Sequence, residues 1–346
     1  MHFNQTFKID NREIGPGCKP YIIAEMSANH GNNLQNAINI IKAAAKAGAD
    51  AIKIQTYTAD TLTLNSTQEP YKAKGAWEGT YLYDLYKDAS MPWEWTEELQ
   101  KIAKEEGITL FSSPFDFSSV DFLEKLDMPA YKIASPEIID LPLIRRIAQT
   151  KKPIILSTGK ATLAQIAEAC STLYSEGVRE LAILKCTSEY PASPKDINLK
   201  TISHLQKTFK TPVGLSDHTL GSAIPIASVA AGAHIIEKHF LLDSKIETAD
   251  SFFSATPKEL KEIAEGSKMV YDAMGDISYP IEPLAAQRSL IAIKEIKKSQ
   301  QLQEGINFKS LRPGGGIEPK YTPLVEGRFA AQDIAFGALL EWSMLA

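Results

Sequence analysis

The chain is poor in cysteine: Cys18, Cys170 and Cys186 form no C-x-x-C pair and no even-numbered framework. A disulfide scaffold is thereby excluded, and a reducing cytoplasm is the expected compartment. Positive charge is not in excess either. A net charge of −5 without a basic stripe gives no support to nucleic-acid binding. No apolar run reaches the length that spans a bilayer. The start, Met1-His2-Phe3-Asn4-Gln5, lacks the charged region and apolar core of a signal peptide. A Gly-rich Walker loop is also missing, which argues against a nucleotide cradle. With 44% hydrophobic and 23% charged residues the chain is globular, with ample material for a core.

What is present is a rhythm. Residues 3–19 read as a hairpin with a turn at Asp10-Asn11. From Pro20 onward, short runs rich in Ile, Val and Leu recur, each followed by a stretch of helical period. The runs are Tyr21–Ala24, Ala51–Ile54, Ile108–Phe111, Ala130–Ile133, Ile154–Leu156, Leu181–Leu184, Val213–Leu215 and Ala233–Ile236. Asn33–Ala47 and Leu163–Tyr174 read as amphipathic helices closed by Gly48 and Gly177. Eight strands alternating with helices predict a (β/α)8 TIM barrel, with an open doubly wound sheet as the alternative. The segment Thr56–Pro92, rich in Tyr and carrying Trp77, interrupts the rhythm; it reads as a cover for the barrel mouth or as an aromatic surface contact. The expected organisation is a hairpin (1–19), a barrel (20–276), a linker (277–288) marked by Pro280 and Pro283, and a small β-rich domain (289–346).

In such a barrel the chemistry sits at the C-terminal ends of the strands. There the sequence supplies Glu25, Lys53 and Gln55, Ser112-Ser113, Lys132 with Ser135 and Glu137, and Ser157-Thr158. Lys185, Ser188 and Tyr190, then Ser216 and His218, then Glu237 and His239 complete the rim. Two histidines that end neighbouring strands could converge on a divalent metal, or could simply be satisfied at a loop edge. Lysine ammonium groups among serine hydroxyls suit a small phosphorylated substrate.

These segments resemble the sialic-acid-type synthases, which condense phosphoenolpyruvate with an N-acetylated sugar. The resemblance is carried by Ile22-Ile23-Ala24-Glu25, Lys53-Ile54-Gln55, Ser113-Pro114-Phe115 and Tyr131-Lys132-Ile133-Ala134-Ser135. It continues through Leu156-Ser157-Thr158-Gly159, Cys186-Thr187-Ser188-Glu189-Tyr190-Pro191, Gly214-Leu215-Ser216-Asp217-His218 and Glu237-Lys238-His239-Phe240. The segment around Arg312-Pro313-Gly314 is similar to the family's C-terminal antifreeze-like (SAF) domain. The resemblance implies Glu25, His218 and His239 as catalytic residues, with the two histidines holding a metal, manganese first and magnesium or cobalt as alternatives. It implies a phosphoenolpyruvate site of Lys53, Ser113, Lys132, Ser135, Ser157, Ser188 and Ser216. Ser113 and Ser188 stand where sialic synthases often show threonine and asparagine. Gln55, Trp77, Glu137, Tyr190, Asp250 and Arg312 would face the sugar, Arg312 from a partner subunit in a domain-swapped homodimer.

Within the family, Glu25-Met26-Ser27-Ala28-Asn29-His30 and Gly75-Ala76-Trp77-Glu78 are most similar to the branch whose acceptor is 2,4-diacetamido-2,4,6-trideoxy-L-altrose. An indole at position 77 would suit the methyl of a 6-deoxy sugar. The neuraminate- and legionaminate-forming branches are the alternatives. Two further rivals are a Schiff-base pyruvate aldolase using Lys185 and a carbohydrate-binding or assembly protein with an inert barrel. Neither nucleic acid nor membrane is an expected partner.

Overall fold

Short runs of β-branched and aliphatic residues that are buried on both faces pair in parallel, because helices cover the side that a crossover leaves open. In the computed structural model, which describes residues 1–281 and 283–346, this pairing closes on itself. A two-stranded hairpin comes first, β1 (Phe7–Ile9) and β2 (Arg12–Ile14). The barrel follows as β3 (Tyr21–Glu25), β4 (Ala51–Thr56), β5 (Thr109–Pro114) and β6 (Tyr131–Ile133). It is completed by β7 (Ile154–Ser157), β8 (Leu181–Cys186), β9 (Val213–Asp217) and β10 (Ile235–His239). The strands lie in sequence order and β10 pairs with β3, so no edge is left open.

Most strands run further than their apolar cores, extending through the polar residues at their C-terminal ends. The ladder bonds belong to the backbone, so a lysine or serine continues a strand as well as an isoleucine does. The helix Leu34–Ala47 starts at Asn33, whose side chain accepts from the Asn36 N–H. It stops at Gly48, whose φ of 91° needs the freedom of glycine. The aromatic segment after β4 is more ordered than a loop: it holds helices Ala59–Leu62 and Leu82–Ala89, with Trp77 in a 3₁₀ turn.

Side chains alternate across each strand and sort into two cores. Ile22, Ala24, Ile52, Ile54, Leu181 and Ile183 face the helices. Tyr21, Ile23, Ala51, Phe111, Ala130, Ile155, Ala182, Leu184 and Ile235 fill the barrel interior, where Phe7, Ile9 and Ile14 join them. The hairpin therefore plugs the N-terminal end of the barrel. Thr109 donates to Asp10 at 2.7 Å, and Arg12 pairs with Asp50 at 3.2 Å, pinning the plug to β4 and β5.

The chain divides into two compact units, Met1–Gly275 and Asp276–Ala346. The second unit contains β11 (Ser289–Ala292) paired antiparallel with β12 (Phe308–Leu311). Single bridges such as Ile296 to Ile334 and Ala330 to Leu345 extend the pairing round a core that includes Leu290, Phe308, Ile317 and Leu340. The linker expected over 277–288 falls in this unit, and its Glu282 lies outside the described residues. Among the described residues no helix is long and apolar enough to cross a membrane.

Candidate active site

The parity that points Ile23, Ala51, Ala130 and Ile235 into the barrel carries on to the polar ends of the same strands. Two residues further along stand Glu25, Lys53, Lys132 and Glu237, all buried. Lys53 Nζ lies 2.6 Å from Glu25 Oε2, 3.7 Å from Glu237 Oε1 and 3.2 Å from Ser113 Oγ. Lys132 Nζ lies 2.9 Å from the same Glu237 oxygen, and Ser216 Oγ donates to it at 3.4 Å. Gln55 donates to Glu25 Oε1 at 2.9 Å and to Ser27 Oγ at 3.0 Å. One carboxylate on β10 thus gathers two ammonium groups contributed by β4 and β6, strands that neighbour neither it nor each other.

The electrostatics follow from this crowding. Burial would push the Glu237 carboxyl up, but Lys132 and Lys53 outweigh it and hold it down at about 2. Burial alone would lower both lysines. Lys53 is nevertheless raised, because it faces Glu237 and Glu25 together. Lys132 stays lowered, since Glu237 must offset both burial and the like charge of Lys53. Glu137, half-buried on the turn after β6, is pushed up to about 7 by burial. Buried Glu137 Oε2, Glu237 Oε2 and Ser157 Oγ have no protein partner. Buried polar atoms are normally satisfied, so these mark where a polar ligand or water belongs.

A second group lies beside the first. Ser135 Oγ accepts from the Gly159 N–H at 2.9 Å, and a Cβ at Gly159 would collide with Ser188 Oγ and Ser135 Oγ. Only glycine lets the chain pass between these two serines. Cys186 Sγ lies 3.8 Å from Ser188 Oγ and 4.0 Å from His218 Nδ1.

The histidines converge. The ring centroids of His218 and His239 are 5.3 Å apart, with Phe253 against both and Tyr190 4.4 Å from His218. His218 Nδ1 lies 2.9 Å from the Thr187 carbonyl, which can only accept. Nδ1 therefore carries the hydrogen, which leaves the Nε2 lone pair for a metal. His239 Nδ1 is buried without a hydrogen-bond partner, 3.6 Å from Asp250 Oδ2. This donor set fits a divalent ion held by two imidazoles. Among the described residues no three His, Cys, Asp or Glu side chains surround one point, so water or substrate would complete the shell. Trp77 closes this side: its ring is 5.3 Å from Tyr190, and its Nε1 donates to Ala249 O at 2.8 Å.

The expected site residues of the barrel thus fall at one mouth. Arg312 belongs to the second unit, where it is exposed. Glu237 was visible in the sequence only as one more rim residue; its part in joining the lysines comes from barrel closure. Lys185 lies on the opposite parity, next to helix-facing Ile183, and donates to Cys186 O at 2.7 Å and Thr187 Oγ1 at 2.9 Å. That removes the nucleophile from the aldolase alternative. A cleft of about 1060 Å³ opens at the other end of the barrel, lined by Asp10, Arg12, Asp50, Lys104 and Thr109 among others. None of its lining residues has an orphaned buried polar atom, whereas the mouth has several, so the mouth is the candidate site.

Fold and site together define a closed (β/α)8 barrel with a polar, lysine- and histidine-bearing mouth. The NeuB family model matches residues 40–279, and the chain belongs to the NeuB family. It is 46% identical to pseudaminic acid synthase of Campylobacter jejuni, covering 93% of this chain and 96% of that protein. It is 41% identical to pseudaminic acid synthase of Helicobacter pylori, covering 90% and 94% respectively. Among solved structures, N-acetylneuraminic acid synthetase of Leptospira borgpetersenii superposes with a TM-score of 0.73 at 31% identity, over 81% of this chain and 94% of that one.

Proposed function

We propose that this protein condenses phosphoenolpyruvate with 2,4-diacetamido-2,4,6-trideoxy-L-altrose and water, giving pseudaminic acid and phosphate by C–O cleavage. The observation that carries the reading is the buried cluster of Lys53, Lys132, Ser113 and Ser216 gathered by Glu237, beside two converging imidazoles. The names of the Campylobacter and Helicobacter relatives support the product.

Lys53 and Lys132 bind the anionic groups of phosphoenolpyruvate, with Ser113, Ser135, Ser157, Ser188 and Ser216 donating around them. His218 and His239 hold a divalent metal, manganese first, which when bound would polarise the acceptor carbonyl as a Lewis acid. Gln55, Glu137, Tyr190 and Asp250 orient the sugar, and Trp77 sets its indole against the 6-methyl. Carbon–carbon bond formation leaves positive charge on the former enol carbon. The Glu25 carboxylate, held by Lys53 and Gln55, stabilises that charge or accepts a proton from the attacking water. The wall of Trp77, Tyr190 and Phe253 excludes bulk water.

We also propose that the second unit is an antifreeze-like domain exchanged in a homodimer, with Arg312 reaching the sugar of the partner subunit. Mixing Glu25→Gln and Arg312→Ala proteins should then restore part of the activity that each lacks alone; no recovery counts against the exchange.

The deciding experiment is phosphate release from phosphoenolpyruvate with manganese, run against the altrose derivative, N-acetylmannosamine and the acceptor of the legionaminate branch. Turnover with the altrose derivative is expected. Turnover with another acceptor alone would overturn the sugar assignment, and phosphate release with none would overturn the reaction.

A further inference from the structure

β10 ends at His239, whereas β9 ends at Asp217, one residue before His218. The last paired residues of the ladder between them are Lys238 and Asp217, so His218 lies just beyond the register that fixes its neighbours. Yet two imidazoles can share one ion only if their separation is held to a fraction of an ångström.

We infer that Lys238 and Asp217 are positioning residues that set the spacing between His218 and His239. Their side chains lie on the helix-facing parity, away from the mouth, and take no part in the chemistry proposed above. Lys238 Nζ lies 2.7 Å from Asp217 Oδ2, with both side chains almost wholly buried. Lys238 Nζ also donates to the Thr219 carbonyl. Asp217 in turn accepts from Thr219 Oγ1 at 3.0 Å and from its N–H at 3.3 Å. The residues on both sides of His218 are therefore held by the residue that immediately precedes His239. A further bond, from Ala192 N to His218 O at 2.9 Å, steadies the same loop from the β8 side.

Energetics favour this role over simple stabilisation. Burying an ammonium and a carboxylate costs several kcal/mol per ion, and apolar residues of similar volume often serve the fold equally well or better. What an apolar pair cannot supply is directed bonding: the ammonium reaches two acceptors and the carboxylate two groups of Thr219. Together they tie three consecutive residues of one strand end to the other strand.

The inference rests on the reading of His218 and His239 as a metal pair, and the test separates the two. Manganese binding to the full chain is titrated by electron paramagnetic resonance without substrates, for the wild type and for Lys238→Met combined with Asp217→Asn. That pair of changes removes both charges together, leaving no lone buried ion. The folded double variant should bind manganese about ten- to a hundredfold more weakly. In turnover, its manganese activation constant should rise while the KM for phosphoenolpyruvate stays as in the wild type. A folded double variant with wild-type manganese affinity overturns the inference. Wild-type protein that binds no manganese overturns the metal reading itself, and the inference with it. Should the double variant not fold, Thr219→Val, which removes only the hydroxyl on Asp217, carries the same test with a smaller shift in the same direction; an unchanged affinity there also overturns it.

Discussion

The two ends of the barrel interior are built from the same positions on the same strands, yet they share almost no chemistry. At the hairpin end, Tyr21, Ala51, Ala130 and Ile235 pack on Phe7, Ile9 and Ile14. Two residues along β4, β6 and β10 the same column reads Lys53, Lys132 and Glu237, and four along β3 and β10 it reads Glu25 and His239. Stability and chemistry are thus separated along one axis, without a change of fold or of face. The apolar end gains its energy from area removed from water, and the polar end spends part of that gain on holding charges together.

That contrast can be broken experimentally from either end. At the mouth, His218→Ala or His239→Ala should cut metal-dependent turnover by about 10³-fold while leaving the thermal transition nearly unmoved. Full activity in the presence of a chelator would remove the metal from the mechanism. At the plug, Phe7→Ala should cost about 3–5 kcal/mol in denaturant unfolding and leave both KM values alone. A selective loss of substrate affinity there would show that the two ends are not separate. Lys132→Ala should raise the KM for phosphoenolpyruvate about ten- to a hundredfold, with the sugar KM little changed. A defect confined to the sugar would contradict its assignment.

The smallest effect concerns pH. Because the folded protein holds Glu137 protonated up to about 7, against an ordinary 4.5, it keeps a proton that the unfolded chain gives up. Stability is then highest on the acid side of this group's window and declines as pH rises from about 4.5 to 7. Glu137→Gln should flatten that decline and remove an inflection near pH 7 from kcat/KM for the sugar; a profile that keeps the inflection assigns it elsewhere.

Much of this was legible in the residues. The eight strands could be read because aliphatic runs of strand length alternate with helical stripes, and the rim because a polar residue follows each run. The strand ends could not be read, since a serine or lysine gives no sign that its backbone still pairs. Lys185 looked like a nucleophile until the register assigned it to the helix-facing side. The ion pairs of Glu237 and of Lys238 with Asp217 could not be read for a related reason: the partners lie 184, 105 and 21 positions apart along the chain, and barrel closure brings Glu237 to Lys53 and Lys132 while pairing of β9 with β10 brings Lys238 to Asp217.

A barrel stoppered at one end has a single doorway. On the proposed assignments, phosphoenolpyruvate at Lys132 lies beneath a sugar held against Trp77, and a sugar that arrived first would block the passage behind it. Order of arrival is then a matter of plumbing: the deep substrate enters first, and the product that fills the mouth departs before anything left beneath it. Steady-state kinetics should accordingly show compulsory order, with the acceptor at high concentration trapping its co-substrate inside.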